Sequence, residues 1–435
     1  MIRAVALVVA LLAFVGVAAL DDPTPGGAPA AGATDASDPR VLPSACPGPQ
    51  TVPVGDVSTG DSELDAGSDD VTLETLPEGG LEVGSGIAFS TDAGGGPAVG
   101  VAVERIGTGD LAGLAGLTCM PVATDQWLVG GATTLGSSAR LVLTNPGATS
   151  VRASVQLHTP VGPVEGATSI IVGPGAQESV LLEALETEMP ATAVHITAGG
   201  LGVSAAVQDS RLDGFTAAGT DWIVASAGGT SLVAALPGPS DGAGSALLSL
   251  VAPEGADVTL ALETADGDQG WLGEPTLTLE PGVVTDVPIP AADHGFVTIE
   301  ADAPVVAGTR VSLTRPLETG DGTPARDHAW SASQPAGDAR ARASVVPPGE
   351  VSLLVRAGAG GTLTADGAPL DAPAAGASLV PLDLEPGTVI ASEGAVDWLL
   401  VVEDQPGFIT TLEPVSTALA SEEIAVVVGG YLPAS

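Results

Sequence analysis

Two stretches of this chain about 107 residues apart carry the same hydrophobic spacing, and that repeat limits the fold more than any other feature. Leu141-Val-Leu-Thr-Asn-Pro146 matches Leu248-Ser-Leu-Val-Ala-Pro253, and the same offset carries Val151 to Val258 and Val155 to Leu262. It also carries Ile170-Ile-Val-Gly-Pro-Gly175 to Leu277-Thr-Leu-Glu-Pro-Gly282, and Val180 and Leu182 to Val287 and Ile289. After a small deletion Val194 and Ile196 fall on Val297 and Ile299, and each copy closes with a tryptophan, Trp222 or Trp330. A third, more divergent copy follows. Leu382-Asp-Leu-Glu-Pro-Gly387 reproduces Leu277–Gly282 almost letter for letter, and Leu353 and Val355 fall on Leu248 and Leu250. A fixed period of this length is the mark of tandem structural units.

Within a copy the alternation has period two. Val151, Ala153, Val155 and Leu157 share one face, while Arg152, Ser154, Gln156 and His158 share the other. That is a strand with one buried face. The recurring Pro-Gly pairs suit turns, since Pro presets φ at one central position and Gly accepts positive φ at the next. Six or seven such strands per copy predict an all-β chain of tandem immunoglobulin-like β-sandwich modules. A β-propeller fits less well, because its blades repeat at a much shorter period. The expected organisation is 128–222, 223–330 and 331–435 as three sandwiches, the last divergent. Residues 46–127 form an irregular β module before them, with a strand near Ala98–Ile106. The first two sandwiches should correspond strand for strand. One helix is expected around Glu178–Glu188, and Ser416–Val428 reads equally as helix or strand.

The chain opens with Met1-Ile-Arg3, an apolar run Ala4–Leu20, and the acidic pair Asp21–Asp22. A positive charge, a hydrophobic stretch and an abrupt polar boundary make an export signal. Residues 1–20 are either a long signal-peptide core, with Val17-Ala-Ala19 as a cleavage site, or a short signal anchor; the balance favours retention. Arg3 places the C-terminal bulk outside the membrane. Residues 21–45, rich in Pro, Ala, Gly, Asp and Thr, read as a flexible tether. Gly55–Asp70 has the same character. The expected location is therefore extracytoplasmic, membrane-anchored by one N-terminal helix, or secreted if the signal is cleaved.

The formal net charge is −41, from 53 acidic residues against 12 basic ones, and no Lys occurs. Phosphate backbones and anionic head groups are repelled by such a surface, so nucleic acid is excluded as a partner. The two cysteines, Cys46 and Cys119, are expected to form a disulfide, as an even pair does in an exported protein.

Without Lys there is no phosphate-binding P-loop, Schiff base or Ser–Lys dyad. Gly202-Val-Ser-Ala-Ala206 approaches a nucleophile elbow, but it lies inside a predicted strand with Ser204 facing out. Gly60-Asp-Ser62 resembles one hydrolase box without the strand that should precede it. His158, His195, His294 and His328 show no metal-ligand spacing, and His195 reads as a half-buried strand residue. Asp266-Gly-Asp268 and Asp321-Gly322 read as solvated turns without the acidic closing ligand of an EF-hand loop. No cofactor, metal or catalytic residue is expected.

Cys119-Met-Pro-Val-Ala-Thr-Asp-Gln-Trp127-Leu-Val-Gly-Gly131, Leu143-Thr-Asn-Pro-Gly147 and Gly219-Thr-Asp-Trp222 together resemble a family of exported actinobacterial proteins known only as a domain of unknown function. The resemblance covers most of the chain after the tether and singles out Trp127, Asn145, Pro146, Asp221 and Trp222 as structural motif positions. It implies a secreted or membrane-anchored envelope protein, in a cell-wall or surface-polysaccharide context, and brings no catalytic residues with it. The expected function is a non-catalytic envelope protein that spaces or binds an envelope component or another envelope protein and meets the membrane only through its N-terminal segment. The rivals are a wall-glycan hydrolase using paired carboxylates and a Ca²⁺-dependent adhesin.

Overall fold

The computed structural model describes residues 34–36, 42–51, 71–77, 79–90, 98–214, 216–238, 244–268, 271, 276–290, 293–318, 324–357, 360–371, 376–404, 407–417 and 423–425. The run Ala4–Leu20, most of the tether, Gly60–Ser62, Asp65–Asp70 and Asp321–Gly322 lie outside these residues. Among the described residues no helix is long and apolar enough to cross a membrane. Thr34–Ala36 pairs antiparallel with Glu423–Ala425, so a short strand occurs within the stretch read as tether. These ends belong to one unit, and residues 41–418 form another. The account below concerns the second.

The described chain is almost entirely strand. The first repeat builds two antiparallel sheets. One orders Gly162–Pro163, Val151–Thr159, Ala193–Ala198, Asp125–Val129 and Ala225–Ser226, with Thr168–Val172 also on Val151–Thr159. The other orders Ala176–Leu181, Ser137–Asn145, Ser204–Asp213 and Thr216–Ile223. Val155, Leu157 and Ile196 of the first meet Leu141, Leu143 and Val207 of the second in one buried core. This is a β-sandwich whose inner faces are supplied by the period-two alternation. The expected helix at Glu178–Glu188 is absent. Ala176–Leu181 is a strand, followed by one 3₁₀ turn at Leu182–Ala184, because pairing with Ser137–Asn145 overrides local propensity.

The second repeat follows the same pairing scheme. Ala256–Thr264 and Gly228–Leu236 flank Gly295–Ala301, while Gly244–Val251 lies between Val284–Ile289 and the later part of the same strand. Gly295–Glu318 runs unbroken through both sets of pairings and joins them into one nine-stranded sheet, where the first repeat breaks at Gly199–Gly202 between two strands in separate sheets. The third repeat again has two sheets, ordered Ala368–Leu370, Thr362–Ala365, Val389–Glu393, Arg342–Val345, Val415–Ser416 and Ala377–Pro381, Glu350–Ala357, Val396–Asp404, Phe408–Leu412.

Register corrects the repeat in two places. Val155 pairs with Ile196 and Leu260 pairs with Ile299, so Val155 corresponds to Leu260, and Val151 to Ala256 rather than Val258. The second copy has two fewer residues in the preceding loop. A shift of two keeps the same residues facing inward, which is why the hydrophobic pattern concealed it. The match of Leu382–Gly387 to Leu277–Gly282 also joins non-equivalent places. Leu277 pairs with Val258, whereas Leu382 follows Ala377–Pro381, the strand that corresponds to Val284–Ile289. The two runs share a Pro-Gly turn, but Leu277–Leu279 lies in a strand while Leu382–Glu385 follows one. The match of Leu353 to Leu248 holds: both sit centrally in their sheet, on Leu400 and Thr309 respectively.

Module edges move as well. Each sandwich is closed by a two-residue strand after its second sheet, Ala225–Ser226, Gln334–Pro335 or Val415–Ser416, which returns to the sandwich's first strand. The described residues of 46–127 make no sandwich of their own. They form two small sheets, Leu81–Val83, Gly86–Phe89, Ser44–Cys46, Met120–Pro121 and Val71–Thr75, Val101–Ile106, Gly113–Thr118. Val101, Val103 and Leu114 complete the core of the third sandwich. Ser204 faces away from its sandwich core yet is buried, because Ser44–Cys46 covers it and Ser204 Oγ donates to Ala45 O.

Candidate functional site

Four sheet edges meet at the centre of this unit. They are Gly113–Thr118 (β1), Thr216–Ile223 (β2), Pro324–Ala332 (β3) and Phe408–Leu412 (β4), each at one margin of its own sheet. β2, β3 and β4 are the corresponding edge strands of the three sandwiches, and they pack on one another and on β1. An edge strand presents unpaired N–H groups at every second residue, and buried ones must find acceptors.

Carboxylates supply them. Asp221 of β2 accepts from Gly116 N at 3.2 Å, Trp330 N at 2.7 Å and Thr410 Oγ1 at 2.7 Å. Asp327 of β3 accepts from Leu114 N at 3.1 Å and Ile409 N at 2.9 Å. Glu413, just after β4, accepts from Ala332 N at 2.9 Å. Leu114 and Gly116 are two apart on β1, as are Trp330 and Ala332 on β3, which is the spacing at which one edge repeats. All three carboxyl groups are buried. Loss of hydration lifts Asp221 and Asp327 well above the usual carboxylate range against these hydrogen bonds, and pushes Glu413 up to about 7.

A second buried cluster adjoins the first. Asp209 Oδ2 accepts from Trp330 Nε1 and Arg211 Nε, both at 2.8 Å, and lies 3.3 Å from His328 Nε2. Burial opposes its charge, but Arg211 and His328 outweigh that and hold Asp209 well below the usual range. Burial lowers His328, whose Nδ1 donates to Ala218 O at 3.1 Å.

The motif residues acquire their reasons here. Asp221 is the central tie and Trp222 is buried beside the disulfide. Cys46 and Cys119 are bonded and buried, with Cα atoms 4.5 Å apart. Gly130, in the Trp-Leu-Val-Gly-Gly step, has φ +145°, and a Cβ there would approach the Trp330 ring to 2.7 Å. Gly219, with φ +102°, leaves room for the Asp327 carboxyl. Asn145 is buried, and its Nδ2 donates to Thr149 O, Val172 O and Gly173 O while Oδ1 accepts from Gly147 N at 2.9 Å. It ties down the loop opened by half-buried Pro146.

Trp127 lies apart from this hub, on the outer face of the first sandwich. It is half-buried and stacks on His195, its cross-strand partner, with centroids 4.4 Å apart and planes 8° apart. His158 lies 4.8 Å from it, tilted, and its Nδ1 donates to Gly282 O of the second repeat at 2.9 Å. Burial lowers His158, more than the Gly282 bond raises it. His195 Nε2 lies 3.3 Å from Asp125 Oδ2. A groove of about 360 Å³ opens here, lined among others by Asp125, Trp127, Ser226, Pro253, Pro304 and Val306.

The sequence paired Cys46 with Cys119, and the resemblance singled out Asp221, Trp222 and Asn145 as motif positions; neither pointed to Asp327, Glu413, Asp209, His328 or the stacking of Trp127 on His195. One signal was legible: Asp327-His-Ala-Trp330 places a carboxylate just before a closing Trp, as Asp221-Trp222 does. Among the described residues no group of three or more His, Cys, Asp or Glu could hold a metal ion. Ala265 and Asp266 form a hairpin turn, Gly267 pairs with Thr264, and Thr264 Oγ1 accepts from Asp266 N at 3.3 Å.

A family model described as a family of unknown function (DUF5719) matches residues 80–388, spanning most of the three sandwiches and the hub. The chain belongs to this family. A comparison with curated proteins returns no significant match. Within DUF5719 boundaries fall β1, β2, β3 and both aspartates of the hub, while β4 and Glu413 lie beyond the matched residues.

Proposed function

We propose that this DUF5719 protein is a non-catalytic component of the cell envelope, a block of β-sandwiches held outside the membrane by its N-terminal segment to space or bind an envelope component. The observation that carries the reading is the use made of the buried carboxylates. A carboxyl group with a strongly raised pKa is ordinarily a candidate general acid. Here Asp221, Asp327 and Glu413 each accept backbone N–H groups from neighbouring sheet edges, so their environment serves assembly. The export-type N-terminus and the charge of −41 support an extracytoplasmic place for it.

The test is turnover. The purified chain is incubated with peptidoglycan, arabinogalactan and common ester and glycoside substrates, with and without Ca²⁺. No turnover is expected, and Asp221→Asn or Glu413→Gln should change stability alone. Hydrolysis abolished by one carboxylate-to-amide change would overturn the reading in favour of a hydrolase. Ca²⁺-dependent self-association would overturn it in favour of an adhesin. Location is checked by probing a C-terminal tag from outside intact cells, where a tag that stays inaccessible contradicts an exterior position.

A further inference from the structure

We propose that the segment Ser44–Thr51 is held on the first sandwich in the way a bound peptide is, and that the groove it occupies takes the same segment from a second copy of this chain. In sequence the segment stands between two linkers. Residues 21–41 before it and Gly55–Asp70 after it are rich in Gly, Ala, Asp, Ser and Pro and carry no apolar periodicity. Its hold on the body is therefore made by its own contacts and by the Cys46–Cys119 bond.

Those contacts go to the backbone. Val122 N donates to Pro43 O at 2.9 Å, Ser204 Oγ to Ala45 O at 3.3 Å and Gln177 Nε2 to Pro47 O at 2.9 Å. Gln208 engages Thr51 twice, with Nε2 donating to Thr51 O at 2.9 Å and Oε1 accepting from Thr51 N at 3.0 Å. Ser44–Cys46 also pairs antiparallel with Ile87–Phe89 on one side and Met120–Pro121 on the other. A carboxamide that answers a peptide N–H and C=O together imitates a neighbouring strand, which is how peptide grooves hold an extended ligand. Cys46 is buried in one apolar cluster with Val142, Ala206 and Trp222. Beyond it a cavity of about 160 Å³ remains beneath Pro47, Pro49 and Thr51, so hydrogen bonds rather than close packing hold that end. Shape is read at a single residue. Gly48 has φ +88°, and a Cβ there would lie 2.3 Å from Ser85 O, so the groove demands Gly at this place.

A short element seated in a groove and joined to the body through linker sequence is an exchangeable one, because a second copy offers the same groove and the same segment. The disulfide then marks which copy supplied it. In the cis form Cys46 and Cys119 of one chain are bonded. After exchange Cys46 of one copy bonds to Cys119 of the other. Each crossed bond joins two thiols, and their two electrons and two protons pass to one molecule of oxidised glutathione, which leaves as two thiols.

Full-length chain purified in detergent, half of it isotope-labelled, is reduced with glutathione until alkylation of a parallel sample shows both thiols free. Oxidised glutathione then reforms the bonds at low and at high protein concentration, and bonds between labelled and unlabelled copies are mapped by mass spectrometry. The linker gives the cis segment an effective concentration on the order of millimolar, so crossed Cys46–Cys119 bonds should reach roughly a tenth of the total at about 0.5 mM protein and be scarce at about 10 µM. Random collision would form crossed Cys46–Cys119 bonds in the same amount as crossed Cys46–Cys46 and Cys119–Cys119 bonds together. Recognition by the groove should favour Cys46–Cys119 by about tenfold or more. Gly48→Ala alters only the segment and should cut that excess about fivefold or more, with thermal unfolding monitored to show that the body keeps its fold. Absence of crossed bonds at the high concentration would overturn the proposal and leave the segment a cis element alone. Crossed bonds spread evenly over the pairings, or an excess that Gly48→Ala leaves unchanged, would overturn it equally.

Discussion

Replacing Glu413 by Gln should flatten the dependence of stability on pH between about 4.5 and 7. Glu413 is buried where β4 ends, and loss of hydration raises its pKa to about 7 from an ordinary 4.5. The folded chain therefore holds this proton more tightly than the unfolded chain. Its contribution to stability is fully present below pH 4.5 and is lost as the pH rises through 7. At roughly 1.4 kcal/mol per pH unit, the gap between the two values amounts to about 3 kcal/mol. Gln keeps a carbonyl to accept from Ala332 N but cannot ionise, so the variant should escape that loss. Asp221 and Asp327 are raised in the same sense and leave part of the slope in both proteins. The assay is equilibrium urea unfolding at pH 5 and pH 8. The wild type should lose roughly 2–3 kcal/mol more than Glu413→Gln over this interval, slightly less than the full gap because a small part is already lost at pH 5. Unfolding free energies that fall in parallel for the two proteins would refute the account of Glu413 as a buried, largely neutral tie.

Three further outcomes follow from the same geometry. Asp221→Ala strands Gly116 N, Trp330 N and Thr410 Oγ1, and should lower unfolding free energy by roughly 3 kcal/mol or more, with Asp221→Asn intermediate; equal melting temperatures for all three proteins would contradict this. Replacing Cys46 and Cys119 together by Ser should remove about 4 kcal/mol in the chain-entropy account of a link across 73 residues, read by denaturant midpoint. Asn145→Ala should cost about 2 kcal/mol because it strands the loop carbonyls and Gly147 N, and proteolysis should then begin near Pro146.

Sequence alone determined what depends on local order. Alternation at Val151–Leu157 set which face is buried, and Pro-Gly pairs set the turns. An even pair of cysteines behind an export-type segment was expected to bond, and Cys46 and Cys119 do. A repeat near 107 residues required several similar sandwiches. Two errors came from the same source. Hydrophobic alternation is unchanged by a shift of two residues, so Val151 seemed aligned with Val258, and shared letters leading into a Pro-Gly turn made Leu382–Gly387 look equivalent to Leu277–Gly282. Only the tertiary structure showed what the buried polar residues do. Asp221, Asp327 and Glu413 are scattered among 53 acidic residues until three sandwich edges meet β1 and bury them on one another's unpaired N–H groups. Trp127, His195, His158 and Ser226 come together because cross-strand register, not spacing along the chain, makes them neighbours. Non-local pairing places residues tens of positions apart within a few ångströms, and no pattern read along one strand carries that information.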